Sequence, residues 1–256
     1  MTGAGAPEAT ATAGPDYLGR LVVGYVSEEP FSFVDESDRL TGFDVAVVEE
    51  FARRRGVKAL AWEEVLWGEV EGVLSAGRVH MNVTGLAWNE ARAAAGVPSA
   101  PLYTVVSMGF VPKGNPDRIR SIDDMAAKAY RVGAIPGGLE YRVLRERLGE
   151  RAAGYPSERE LWPALDRCEI GAAVFAEYAG RSYLARHPEA SFEPAPGFEF
   201  PILPETMYFF RKGETRLKAA FDAHIREIKR DGTLAQILER FGYPVECIVP
   251  AAAPPP

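Results

Sequence analysis

From Tyr17 onward the chain alternates between short apolar runs and amphipathic stretches. "LVVGYV" (Leu21 to Val26) is a compact, β-rich run of the kind a buried strand uses. "FSFVDESDRLTGF" has two short extended pieces around a polar turn, which predicts a hairpin. In "DVAVVEEFARRRG", Val45, Val48 and Ala52 fall at helical spacing, and Gly56 is placed to stop the helix. "VKALAW" predicts a strand, "WGEVEGVLSAG" a helix closed by Gly77, and "VHMNVTG" another strand. Strands alternating with helices imply right-handed βαβ units and a mostly parallel sheet.

A second series begins after Tyr103. "TVVSMGFV" predicts a strand, and "SIDDMAAKA" a short helix with Ser121 as N-cap and Asp124 at capping-box spacing. "YRVGAI", "GGLEYRVLRERLG", "SERELWPALDR" and "IGAAVFA" continue the alternation. Beyond the proline-broken "EPAPGFEFPILPE", the strand "TMYFFR" leads into a long helix from Arg216 to Arg230. Thr233 is placed to cap a last helix, with Leu234, Ile237, Leu238 and Phe241 on one face. The expected class is therefore α/β, in two units with a cleft between them. Two crossings, near Tyr103 and near Glu205, connect the units. Residues 17–103 with 207–250 would form one unit and residues 104–206 the other. The segments 1–16 and 251–256, small, polar and rich in Pro, Gly or Ala, read as a flexible lead-in and tail.

Charge and length narrow the function. A net charge of −7 over 256 residues argues against nucleic acid or an anionic membrane as the main partner. No apolar run approaches the roughly 18 residues that span a bilayer. The two cysteines, Cys168 and Cys247, form no CxxC pair, and a disulfide between them is left open by the sequence. The three histidines are scattered, so neither a His/Cys metal site nor a cofactor is expected. GxSxG, HExxH and P-loop motifs are absent. The opening "MTGAGAPEATATAGPD" lacks the charged and apolar regions of a signal peptide. The expected location is cytoplasmic if the chain is complete as given. If an export signal has been removed, it is periplasmic or extracellular and lipid-anchored.

One cation stands apart. Arg92 lies in "GLAWNEARAAAGVPSAPLY", a few residues beyond the apolar run Val79 to Val83, and the next basic residue is Lys113. A guanidinium presents a fork that fits a carboxylate bidentately. Downstream, "IPGGLEYRVLRE" puts two glycines at a strand-to-helix junction, where free amides and the helix dipole favour an anion.

Taken in order, "PFSFVDESDRLTGFDV", "LSAGRVH", "GLAWNEAR", "VPKG", "VGAIPGG" and "FFRKGE…IKRDGTLAQILERFG" span almost the entire folded chain. In these pieces the chain resembles the polar amino-acid-binding proteins of ABC uptake systems, the smaller two-lobed (type II) periplasmic binding proteins. The resemblance implies that Arg92, in a segment with Gly85, Ala87 and Trp88, binds a ligand α-carboxylate, and that the backbone at Gly138 and Leu139 completes the clamp. It places Trp67 at an aromatic wall of the cleft, where a core role is the alternative. Glu28 takes a position commonly held by a stacking aromatic. The aspartate that usually holds the α-ammonium aligns either with Ala176 or with Glu177. With Glu28 and Glu177 near Trp67, the site would favour a cationic or amine-bearing ligand.

The resemblance implies a monomeric, non-catalytic protein that captures an amino acid or related amine-carboxylate, closes by a hinge and delivers it to an ABC permease. The alternative is an enzyme on the same scaffold. Cyclohexadienyl dehydratases share a Pro-Gly-Gly stretch like "IPGG" and an "HPE" like His187 to Glu189. Alignment on that "HPE" puts Ala179 where their general acid stands, with Glu177 two residues away.

Overall fold

The computed structural model describes residues 17–250; the lead-in and tail expected above lie outside the described residues. The first series comprises β1 (Leu21–Tyr25), the hairpin β2 (Phe33–Val34) and β3 (Leu40–Thr41), α1 (Phe43–Arg55), β4 (Leu60–Glu64), a 3-10 turn (Trp67–Glu69), α2 (Val70–Ser75), β5 (Met81–Asn82), α3 (Glu90–Ala95) and β6 (Gly96–Pro98). The second comprises β7 (Ser107–Pro112), α4 (Ile122–Ala127), β8 (Val132–Ala134), α5 (Leu139–Leu148), β9 (Ala152–Gly154), α6 (Glu158–Asp166), β10 (Ala172–Ala176), α7 (Glu177–Arg186) and β11 (Phe192–Pro194). The chain then returns through β12 (Phe209–Arg211), α8 (Thr215–Arg230) and α9 (Thr233–Arg240).

Among the described residues ten of these strands build two five-stranded sheets, one per lobe, ordered β4-β1-β5-β12-β6 and β11-β7-β10-β8-β9, and β2 pairs with β3 alone. Neither sheet is wholly parallel. β1 runs parallel to β4 and β5, and β8 runs parallel to β9 and β10. β12 runs antiparallel to β5 and β6, and β7 antiparallel to β10 and β11. The reason is connectivity. β12 and β7 enter their sheets from the other lobe rather than over a βαβ crossover, so the right-handed crossover rule does not set their direction.

The start of α1 is tied to the loop that follows β1. Phe43 N–H donates to the Pro30 carbonyl and Asp44 N–H to that of Phe31, each at 3.0 Å. Gly42, the helix N-cap at φ 125°, sits where any Cβ would stand 2.2 Å from the Phe31 carbonyl oxygen, so only glycine fits there. At the other end Gly56 adopts the left-handed conformation of a helix stop, at φ 69°. Asp44 is fully buried and surrounded by donors: the hydroxyls of Tyr103 and Tyr208 (2.6 Å) and the N–H of Gly85 (3.1 Å). Burial outweighs these donors and pushes its carboxyl up to about 6.

The two crossings run side by side. Leu102 N–H donates to Thr206 O (2.9 Å) and Thr206 N–H to Tyr103 O (2.8 Å). A third segment, from the end of the chain, joins them: Thr104 N–H bonds Cys247 O at 2.8 Å and Val249 N–H bonds Leu102 O at 3.0 Å.

One local expectation changes, at Thr233, and two open points are filled. Arg92 lies on a helix, α3, capped by the Asn89 side chain. Thr233 is the first residue of α9, and the cap is Gly232 at φ 81°; the Thr233 hydroxyl instead accepts a hydrogen bond from Arg54. Cys168 and Cys247 are both free thiols.

Candidate functional site

A cavity of about 500 Å³ of empty space, part of it open to solvent, lies between the lobes. Its lobe 1 wall includes Glu28, Phe31, Trp67, Gly85, Ala87 and Arg92. Facing these from lobe 2 are Ile135, Gly138, Leu139, Glu140, Phe175 and Ala176, while Val105 and Pro204 line the side near the crossings.

The position of Arg92 follows from α3. Asn89 Oδ1 accepts the Arg92 N–H at 2.7 Å, starting the helix and turning the side chain inward until 2 % of it is exposed. Its Nη1 donates to the Ala87 carbonyl (2.7 Å), and its Nη2 crosses to the Gly137 carbonyl of lobe 2 (2.8 Å). Nε lies 3.2 Å from Glu71 Oε1, an ion-pair distance without hydrogen-bond alignment. The guanidinium stands 5.4 Å from the Trp67 ring centroid, a cation–π contact of about 0.5–2 kcal/mol. Burial lowers its pKa and Glu71 opposes that shift, yet a guanidinium stays charged in any protein setting. Two of its five N–H donors are engaged, so the fork retains donors for an anion.

Across the gap, Gly138 is the N-cap of α5. Its own N–H is taken by Ile135 O at 3.1 Å, so the amides that this helix end offers an anion begin at Leu139. Gly137 has φ 93° and lies so close to lobe 1 that a Cβ there would meet the Trp67 carbonyl oxygen at 2.6 Å.

Two carboxyls also face the cavity. Glu28, 4 % exposed, accepts the Trp67 indole N–H on Oε2 at 3.2 Å. Burial holds its carboxyl well above the ordinary range, and nearby Glu158, Glu140 and Asp44 push the same way against the indole donor. Glu140, in the first turn of α5, accepts the Ser107 hydroxyl at 2.7 Å. Desolvation raises its pKa too, although the Ser107 hydroxyl, its own N–H and Arg92 pull it down.

The other expected residues distribute as follows. Gly85, Ala87, Gly138 and Leu139 border the cavity, and Trp67 does so from the 3-10 turn. Trp88 is 53 % exposed and does not line this cavity; with Asn89, Glu90 and Arg142 it lines an adjoining groove that shares Ala87, Arg92, Gly138 and Leu139 with the cavity. Of the two candidates for the ammonium position, Ala176 lines the cavity. Glu177 opens α7 and turns to Arg181, one helical turn on, at 2.8 Å. Sequence reading did not single out Phe31, Phe175 or Glu140. Glu140 looked like an ordinary first-turn acid of the sort helix dipoles favour, and its place directly after "GGL" was the signal available.

Two α/β lobes on side-by-side crossings, with a buried guanidinium facing a helix N-terminus across a cavity, define a two-lobed solute-binding protein. The model of the bacterial extracellular solute-binding proteins, family 3, matches residues 21–243, and the chain belongs to this family. The L-cystine-binding protein TcyJ of Escherichia coli (strain K12) is 28 % identical over 228 residues, covering 87 % of this chain and 82 % of its own length. Among solved structures, the amino acid ABC transporter substrate-binding protein AbpA of Streptococcus pneumoniae, bound to L-arginine, superposes with a TM-score of 0.79 at 22 % identity, covering 88 % of this chain and 95 % of its own. The ancestral amino acid-binding protein AncCDT-1, a precursor of cyclohexadienyl dehydratase, gives a TM-score of 0.76 at 22 % identity, covering 86 % of this chain and 94 % of its own.

Proposed function

We propose that this protein captures an amino acid between its lobes, with the ligand α-carboxylate on Arg92 and the first amides of α5, and hands it to an ABC permease. The observation that carries the reading is Arg92: a guanidinium 2 % exposed, lining an interlobe cavity, with donors to spare. Glu71 and two carbonyl dipoles meet part of that charge, and a ligand carboxylate fits the donors that remain. Curated relatives such as TcyJ bind amino acids, which supports the same ligand class. The family's extracellular description supports a site of action outside the cytoplasm, and among the described residues no helix is long and apolar enough to cross a membrane.

The reading is non-catalytic. The dehydratase alternative calls for an acid at or near the start of α7, facing the cavity. Position 179 is a buried alanine and Glu177 is paired with Arg181, so that region supplies no proton donor to the cavity.

A thermal-shift screen over the standard amino acids tests the reading, because a ligand selective for the folded state stabilises it by RT ln(1 + [L]/Kd). For the strongest stabiliser, calorimetry on R92A should show at least about a 100-fold loss of affinity, and R92K should recover little of it because lysine lacks the fork. Unchanged affinity in R92A would remove Arg92 from the site.

A further inference from the structure

The cavity holds more carboxyl groups than cations. Arg92 lines it, and Glu71 already sits against the Arg92 Nε from the adjoining groove. Glu28 and Glu140 both line the cavity, and among the described residues neither has a salt-bridge partner. Glu28 is 4 % exposed and its Oε2 accepts the Trp67 N–H, while its Oε1 has no protein donor and is not sealed in the protein interior. That oxygen is left free to accept from a ligand donor in the cavity. Meanwhile Ala176, with no polar side chain, occupies the cavity wall at the start of α7.

We propose, resting on the amino-acid reading above, that Glu28 and Glu140 form a divided cation subsite, so that the ligand is a basic amino acid with two positive groups and one carboxylate. The roles differ by location. Glu140 stands two residues after Gly138, at the helix end that clamps the carboxylate, and is electrostatically coupled to Arg92. An α-ammonium is one carbon from its carboxylate, so Glu140 is the group that can reach it. Glu28 lies on the opposite lobe against the Trp67 indole and meets the cation at the end of the side chain. Between them Trp67, Phe31 and Phe175 give an apolar lining for the methylenes and a π face for the distal cation.

The test pairs a cationic ligand with its neutral isostere. Calorimetry on the wild-type protein compares L-arginine with L-citrulline and L-lysine with L-norleucine, and is repeated on E28Q and E140Q. Each glutamine keeps an acceptor oxygen for Trp67 or Ser107. The wild type should prefer the charged member of each pair by at least about tenfold, as a charge-assisted bond implies. E28Q should bring arginine and citrulline close to parity. E140Q should weaken all four by a similar factor of about ten, since all four carry an α-ammonium. Equal wild-type affinity within the pairs overturns the proposal and needs no variant. E28Q weakening arginine and citrulline alike also overturns it, by making Glu28 a structural group. Tight, Arg92-dependent binding of neutral amino acids alone would defeat the basic-ligand inference while leaving the amino-acid reading standing. Absence of binding by any amino acid would defeat both.

Discussion

Gly137→Ala separates lobe closure from ligand contact, because Gly137 touches the opposite lobe. The substitution carries two costs. The first is backbone strain: φ of 93° is uncomfortable for an L side chain, by about 1–2 kcal/mol, whatever the lobes do. The second exists only while the lobes are together. The new Cβ would stand 2.6 Å from the Trp67 carbonyl oxygen and 2.8 Å from its carbonyl carbon, well inside the 3.4 Å where ordinary contact begins. That carbonyl is backbone in a 3-10 turn, so it cannot swing aside as a side chain would. The lobes must part by most of an ångström, which takes the 2.8 Å bond from Arg92 Nη2 to Gly137 O past hydrogen-bond range. Losing one charge-assisted bond in the closed state costs about 1.5–3 kcal/mol, or about 10- to 100-fold in ligand affinity. Gly56→Ala supplies the control: φ is 69° there and nothing lies within 4 Å of the added Cβ, so it carries strain alone. Denaturant midpoints without ligand should fall similarly in the two variants, and calorimetry should show weaker binding in G137A only. Equal affinities in G137A and the wild type would refute the claim that binding requires the lobes as close as they stand here.

Three further outcomes follow from the same geometry. Asp44 titrates near 6 in the folded protein against about 3.9 unfolded, so folded chains hold the extra proton and stability falls as pH rises from about 4 to 6, by about 3 kcal/mol. D44N should lose that part of the slope in urea midpoints measured across this range; an identical slope would assign it to other carboxyls. E177Q should leave ligand affinity within about twofold, since Glu177 pairs with Arg181, and a tenfold loss would return Glu177 to the ammonium position. Removing residues 245–256 deletes the bonds from Cys247 and Val249 to the first crossing. Small-angle scattering should then show a larger ligand-free radius of gyration than the full chain and a larger compaction on binding; unchanged profiles would mean this segment does not restrain the lobes.

The fold was largely legible because its signals are local. Period-2 and period-3.6 patterns and stops such as Gly56 placed most elements within a few residues. The short strands β6, β9 and β11, three residues each, carry too little pattern to be read and exist because neighbours pair with them. The helix around Arg92 was readable in principle, since "NEARAAA" is a cap followed by strong helix formers. Arg92 stood out by its isolation between the Val79–Val83 run and Lys113, but its role came through the resemblance. Glu140 and Glu28 gain meaning only when the two lobes face each other. Their proximity joins residues 112 positions apart, which no local pattern encodes. The same holds for Asp44, whose tyrosine donors come from both crossings.

The return of β12 has a consequence for the order in which the molecule can be assembled. β12 is an interior strand of its sheet, with β5 on one side and β6 on the other, yet it comes after every strand of the second sheet in the chain. During synthesis or export the residues from β7 to β11 emerge as one uninterrupted stretch and hold all five strands of their sheet. The earlier sheet, though started first, has a gap between β5 and β6 until Phe209–Arg211 arrive, and α8 and α9 follow later still. The lobe made second is therefore the one able to finish first. A chain halted before β12 leaves Met81 and Asn82 with an unpaired edge on an apolar strand, the kind of surface that chaperones and proteases recognise.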